Sequence, residues 1–226
     1  MFRKITHVIY DLDGLLLDTE SLNEKANQEI AQRYGKNFNT TIKLKIAGRT
    51  TLDSARIIVD LLKLPLTPES YLEERKKLLY PLYPYAKPLP GAIRLTRHLH
   101  QYHIPQAIAT SSSRHHFQLK TIHHQEWLQL FSHCVWGDDP EIQRGKPAPD
   151  IFLLTAKRIG VSPQECLVFE DSLAGMKAAK SAGMSVIVIP HPDFDRQLYQ
   201  DAEQILNSLT EFQPQLWSLP HFNFDS

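Results

Sequence analysis

The chain has 226 residues, with 42% hydrophobic and 22% charged side chains, which suits a folded protein and excludes a disordered or fibrous one. Lys and Arg total 25 and Asp and Glu total 25, so there is no bulk basic surface to attract nucleic acid. Two cysteines, Cys134 and Cys166, make no disulfide framework and fit a reducing compartment.

The first predicted element is the β-branched apolar run at 5–11, a buried strand ending at Asp11, with Gly14 allowing a sharp turn after it. The run is shorter than the roughly 20 apolar residues of a membrane span, and it does not read as a secretory leader. A cytoplasmic protein with no membrane partner is therefore expected. A helical pattern follows at 22–34 with Gly35 as its stop, and at least two more helical stretches lie within 40–80. In the first of these, Ala55, Ile58, Val59 and Leu62 share one face. No strand-like run occurs between about 20 and 80, so a helical block interrupts the sheet after its first strand.

Beyond residue 90 the pattern alternates. Helices are predicted at 91–102, 117–123, 150–159 and 173–181, and strands at 106–109, 131–136, 166–169 and 186–189. That alternation means an α/β core with a mostly parallel, Rossmann-like sheet and right-handed crossovers. Ligands of such sheets bind beyond the carboxyl ends of the strands.

Four places answer that description: Asp11 and Asp13 in DLDG, Thr110 with Ser111, Lys146 in GKPAPD, and Glu170-Asp171. Carboxylates crowded together are costly without a cation, and an all-oxygen donor set favours Mg²⁺. Such a set suits phosphoryl transfer, with one carboxylate as nucleophile and another as acid and base. The glycine-rich signatures GxxxxGK[ST] and GxGxxG are absent.

DLDGLLLDTE, the Thr110 strand end, GKPAPD and FEDSLAG resemble, in order, the motifs of the haloacid dehalogenase-like hydrolase superfamily. The resemblance implies a catalytic core at 1–17 and 86–226 with a small helical cap at 18–85. It implies Asp11 as nucleophile, Asp13 as general acid/base, and Lys146 holding the phosphate and the nucleophile. Thr110 and Ser111 would bind the phosphoryl group. Mg²⁺ would be held by Asp11, the Asp13 main-chain carbonyl and Asp171, with Glu170 a less defined neighbour. In the cap, Gly48 and Arg49 are the candidates for substrate binding. The second aspartate, Asp13, points to a phosphatase or phosphomutase rather than a dehalogenase.

Within the superfamily, THVIYDLDGLLLDTE, ARIIVDLLKLP, SHCVWGDDPEIQRGKP and LNSLTEFQPQLWSLP resemble the pseudouridine-5'-phosphatases. The expected substrate is pseudouridine 5'-phosphate or a similar nucleotide or sugar phosphate. The alternatives are a phosphoglycolate, glycerol-phosphate or other sugar-phosphate phosphatase, a β-phosphoglucomutase-like enzyme, or a phospho-ligand-binding module without catalysis. A monomer is expected.

The remaining signals have plainer readings. Asp18 suits the start of a helix near the cap hinge. The 11 histidines, clustered at 98–103, 115–116 and 123–124, read as surface or interface polar groups rather than a metal site. Both cysteines sit in apolar runs and read as buried, inert thiols. Tyr80, Tyr83 and Tyr85, interleaved with prolines, read as a stiff linker or as apolar surface beneath the cap.

Overall fold

The computed structural model describes residues 3–46 and 50–222. Gly48 and Arg49, the expected cap residues for substrate, lie outside the described residues. In chain order the elements begin with strand β1 (His7–Tyr10) and β2 (Leu17–Asp18). Four helices follow: α1 (Glu20–Arg33), α2 (Thr40–Ile46), α3 (Thr51–Leu62) and α4 (Pro68–Leu79). Next come β3 (Lys87–Pro88), α5 (Ala92–Gln101), β4 (Gln106–Thr110), α6 (Arg114–Thr121), α7 (Gln125–Leu128) and β5 (His133–Trp136). The last are α8 (Asp150–Arg158), β6 (Cys166–Glu170), α9 (Leu173–Ser181), β7 (Ser185–Val188) and β8 (Gln204–Ile205).

Six strands form one parallel sheet in the order β5-β4-β1-β6-β7-β8. Alternate side chains of β1 serve different layers, as the period of two requires. Val8 and Tyr10 join Ile108, Leu167, Phe169 and Ile187 in one cluster, while Ile9 joins Ala109, Val135, Val168 and Val186 in the other. Both faces are covered, so these strands read as continuous apolar runs in the sequence. Each fully buried large side chain contributes roughly 1.5–3 kcal/mol. The tail, 206–220, closes the first layer by burying Leu209, Phe212, Trp217 and Leu219.

The helical block α1–α4 has its own core, made of Ile30, Ala31, Ile42, Ala55, Ile58, Val59, Leu62, Leu64 and Tyr71. The face predicted for α3 is the buried one. Thr50 and Thr67 start α3 and α4 by accepting hydrogen bonds from the Asp53 and Ser70 amides, at 3.2 and 3.1 Å. The two chain crossings into and out of the block pair as antiparallel strands, Leu17 with Pro88 and Asp18 with Lys87. Asp18 also accepts from the Ser21 amide and hydroxyl at 3.1 and 2.7 Å, the helix-start role expected of it.

Several boundaries differ from expectation for local reasons. Helix α6 begins at Arg114 rather than at 117, because the Ser113 hydroxyl accepts from the His116 amide and fixes the start earlier. The edge strand β8 has two residues, too few for a hydrophobic period to show. His98 is a correction to the surface reading of the histidines: it is buried, and its Nε2 pairs with the Pro220 carbonyl at 2.8 Å. Burial pushes the Cys134 thiol up to about 11 and the Cys166 thiol up to about 12, Glu165 adding to the latter, so neither is a ready nucleophile.

Candidate active site

The site forms where β1, β4 and β6 end side by side. Register places Tyr10 beside Ile108 and Phe169, and the Asp11 amide prolongs the ladder by donating to the Phe169 carbonyl at 3.0 Å. The chain then turns sharply. Gly14 has a φ of +79°, and its amide donates to the Leu17 carbonyl at 2.9 Å. A Cβ at Gly14 would stand 2.4 Å from Asp171 Oδ2, so the turn also depends on the missing side chain.

Lys146 reaches into the strand ends from the loop before α8. Its Nζ donates to Asp11 Oδ1 at 2.6 Å, to Glu170 Oε1 at 2.6 Å and to the Ala109 carbonyl at 3.0 Å. Burial works against its charge, but Asp11 and Glu170 outweigh that and hold the ammonium above its ordinary range. Glu170 is 0% exposed, and its other oxygen accepts from the Asp171 and Ser172 amides and the Ser172 hydroxyl. Its part is therefore defined: it fixes Lys146 on one side and the turn into α9 on the other.

The two aspartates of the DLD motif have opposite environments. Burial pushes the Asp11 carboxyl up to about 7 against the pull of Lys146, with Glu170 and Asp13 adding to the rise. Burial also opposes ionisation of Asp13, yet the Lys120 ammonium and hydrogen bonds from Lys120 and Ser112 prevail and hold it below the usual carboxylate range. Lys120 Nζ lies 2.6 Å from Asp13 Oδ1, and the Ser112 hydroxyl donates to Asp13 Oδ2 at 2.7 Å. Asp171 is pushed well upward by burial and by Glu170, Asp11 and Glu20.

Of the expected site residues, Asp11, Asp13, Ser111, Lys146 and Asp171 line one cleft of about 600 Å³. Thr110 is fully buried, and its hydroxyl is turned to Asp13 Oδ2, at 3.4 Å, and to the Ser112 amide, at 3.1 Å. Sequence reasoning missed Ser112, Lys120 and Glu20. The signal for Lys120 was its place beside Phe117 and Thr121 on the inward face of α6, legible only once the helix register is known. The far wall of the cleft comes from the helical block and includes Arg75, Lys76, Tyr80 and Tyr83. Asn27 and Asn23 accept from Arg75 at 2.9 and 2.6 Å and aim its guanidinium along that wall. A second cavity of about 550 Å³ adjoins the cleft and shares Glu20, Asn23, Arg75 and Asp171 with it.

Residues 5–183 match the family model described as haloacid dehalogenase-like hydrolase. The chain belongs to the haloacid dehalogenase-like hydrolases. The Arabidopsis thaliana (DL)-glycerol-3-phosphatase 2 is 45% identical over 223 residues, covering 96% of this chain and 93% of that one. The Drosophila melanogaster protein named "Probable pseudouridine-5'-phosphatase" is 44% identical over 225 residues, covering 98% of this chain and 97% of the other. A solved haloacid dehalogenase-like hydrolase of family IA, variant 3, from Entamoeba histolytica superposes with a TM-score of 0.75 at 28% identity. That match covers 93% of this chain and 96% of the solved one.

As a member of this family the chain is an enzyme, a Mg²⁺-dependent phosphatase that hydrolyses phosphomonoesters through an aspartyl phosphate. The narrower resemblance to pseudouridine-5'-phosphatases is not singled out, because a glycerol-3-phosphatase stands at the same level of identity. Among the described residues no helix is long and apolar enough to cross a membrane.

Proposed function

We propose that the chain hydrolyses a small phosphomonoester, with residues 1–17 and 86–226 as the catalytic core and residues 18–85 as a cap over it. The observation that carries this reading is the pair of aspartates two residues apart, each with its own lysine at 2.6 Å. The two lysines hold the carboxylates separately, Asp11 at the end of β1 and Asp13 against α6, so each can be aimed on its own. Asp11 is the nucleophile: a carboxylate oxygen attacks phosphorus, and the ester P–O bond breaks. Asp13, ionised in the free site, takes up a proton once the negative charge of the phosphoryl group lies beside it, and gives that proton to the departing oxygen. It then takes a proton from the water that attacks phosphorus, which breaks the bond to Asp11 and frees inorganic phosphate. Lys146 keeps Asp11 aimed and supplies positive charge to the phosphoryl oxygens.

The donors fit Mg²⁺. Among the described residues no group of three or more His, Cys, Asp and Glu side chains is arranged to hold a metal by itself. What the cleft offers is two carboxylates and a main-chain carbonyl, an oxygen-only set suited to a hard cation that keeps some of its water. Asp11 and Asp171 are both pushed upward by burial and by neighbouring carboxylates, which is the repulsion a cation relieves. Asp11, Asp171 and the Asp13 carbonyl would hold it, and when bound it neutralises charge on the phosphoryl group.

For substrate, pseudouridine 5'-phosphate or a similar nucleotide or sugar phosphate is the first reading, and glycerol 3-phosphate the second. The first is supported by the Drosophila relative and by the aromatic residues Tyr80 and Tyr83 in the lining of the cleft of about 600 Å³. The second is supported by the Arabidopsis relative. The test is phosphate release from a panel holding pseudouridine 5'-phosphate, uridine 5'-phosphate, glycerol 3-phosphate, phosphoglycolate and hexose phosphates, each with Mg²⁺ and with EDTA. Preference for pseudouridine 5'-phosphate is expected. Faster turnover of glycerol 3-phosphate selects the second reading, and Mg²⁺-dependent activity retained by Asp11→Asn removes Asp11 as nucleophile.

A further inference from the structure

Lys120 is absent from every motif that identifies the family in this sequence. It is 4% exposed, yet its ammonium has three partners. It donates to Asp13 Oδ1 at 2.6 Å and to the Ser112 hydroxyl at 2.7 Å, and it lies 4.8 Å from the centre of the Tyr83 ring. Ser112 in turn donates to Asp13 Oδ2 at 2.7 Å, so both oxygens of the Asp13 carboxylate are engaged. Tyr83 is buried and belongs to the chain that leaves the helical block, just after α4.

Stability does not account for this arrangement. A buried ion pair often contributes no more than apolar side chains of the same volume would. This pair forms one wall of the catalytic cleft, next to the nucleophile. A proton-transfer group must be held within a few tenths of an ångström of a productive position, and the orientation of the carboxylate is what two fixed partners supply.

We propose that Lys120 is a positioning residue for Asp13, clamped against it by Ser112 and by the ring of Tyr83. The inference rests on the phosphatase reading and assigns within it the group that aims the acid/base. Lys120 acts in both half-reactions through Asp13 and touches no reacting atom. Loss of the clamp costs proton donation to a poor leaving group and proton removal from water. It leaves the attack of Asp11 on a substrate with a good leaving group largely intact.

The test compares an alkyl phosphate that the wild type hydrolyses with p-nitrophenyl phosphate, whose phenolate departs without a proton. Both are measured on one preparation of each full-length variant with Mg²⁺, so the fraction folded cancels from the ratio. For Lys120→Met the kcat/KM ratio of alkyl to aryl substrate is expected to fall about tenfold or more, within the range a general acid supplies. Nitrophenolate is expected to appear in a burst approaching one per active site, followed by a slow phase, because phosphorylation outruns water attack. Lys120→Arg is expected to restore part of the ratio. Equal losses on both substrates without a burst make Lys120 merely structural and overturn the inference. If Lys120→Met does not fold, Tyr83→Leu carries the test. A lowered ratio in that variant supports the clamp, and an unchanged ratio overturns it. A wild type without Mg²⁺-dependent hydrolysis defeats the phosphatase reading itself, whereas an active wild type with an unmoved ratio defeats only this inference.

Discussion

Gly175 lies so close to Glu170 that a Cβ built on it would stand 1.9 Å from the Glu170 carboxyl carbon. Glu170 cannot retreat, because Lys146, two amides and the Ser172 hydroxyl hold it from the other sides. In an ordinary helix Gly→Ala is favourable by about 1 kcal/mol. Here the clash decides the sign. Gly175→Ala is expected to lower the unfolding free energy by about 1–3 kcal/mol, the usual range for overpacking. It should also lower kcat, since Glu170 fixes Lys146. Urea unfolding with parallel steady-state assays checks both, and a variant as stable as the wild type contradicts this account.

Gly14 makes the corresponding contact on the metal side. Its φ of +79° is unfavourable for any other residue, and an added Cβ meets Asp171 Oδ2 at 2.4 Å. Gly14→Ala is expected to displace Asp171 and to raise the Mg²⁺ concentration for half-maximal activity about tenfold or more. In the wild type, EDTA should abolish activity. Added Mg²⁺ should raise the melting temperature, because a ligand of the folded state stabilises it and separates Asp11 from Asp171 electrostatically. A Mg²⁺ titration of activity and of Tm in both proteins supplies the check.

The core was legible because its strands are buried on both faces and two of its helices, α8 and α9, run out at Gly160 and Gly183. Asp11, Lys146 and Asp171 were legible because each follows such a strand or sits in a motif of fixed order. Lys120 and Ser112 were not, since their meaning depends on the register of α6 and on how far its first turn lies from β1, 99 residues back along the chain in the case of Ser112 and Asp13. Thr110 shows the opposite failure. Its place at the carboxyl end of β4 was clear, but the direction of its hydroxyl, toward Asp13, is a rotamer choice set by packing. His98 escaped for a similar reason, because its partner is the Pro220 carbonyl of the chain's tail.

His116 ties α6 to the end of α4 through Tyr80, whose hydroxyl lies 2.5 Å from His116 Nε2. Burial, Lys120, His115 and Lys76 hold the His116 pKa below its ordinary value, against a weaker opposite pull from Asp13. A histidine with a depressed folded-state pKa stabilises the protein above its unfolded pKa of about 6.5 and loses that contribution as pH falls. The site is partly open to solvent, so the effect is expected to be small. On going from pH 7.5 to 5.5 the wild type should lose about 1–2 °C of Tm relative to His116→Gln, which keeps a hydrogen-bonding group but does not titrate. Parallel pH dependence in the two proteins removes His116 as the cause.

Lys146 joins two carboxylates that would otherwise face each other in a buried site, since its Nζ is 2.6 Å from both Asp11 and Glu170. Removing one member of such a group leaves uncompensated charge, so Lys146→Met is expected to cost about 3–5 kcal/mol of stability. Activity should fall by about a hundredfold or more, because the phosphoryl oxygens lose a fixed cation. Stability and catalysis then separate in the double variant. Adding Glu170→Gln to Lys146→Met removes one of the two stranded charges and should recover at least about 1.5 kcal/mol, a coupling that a double-mutant cycle measures directly. It should recover no activity, because nothing replaces the ammonium beside Asp11. Recovery of both together would mean that Lys146 serves the fold alone. Recovery of neither would mean that Glu170 carries little charge in the variant.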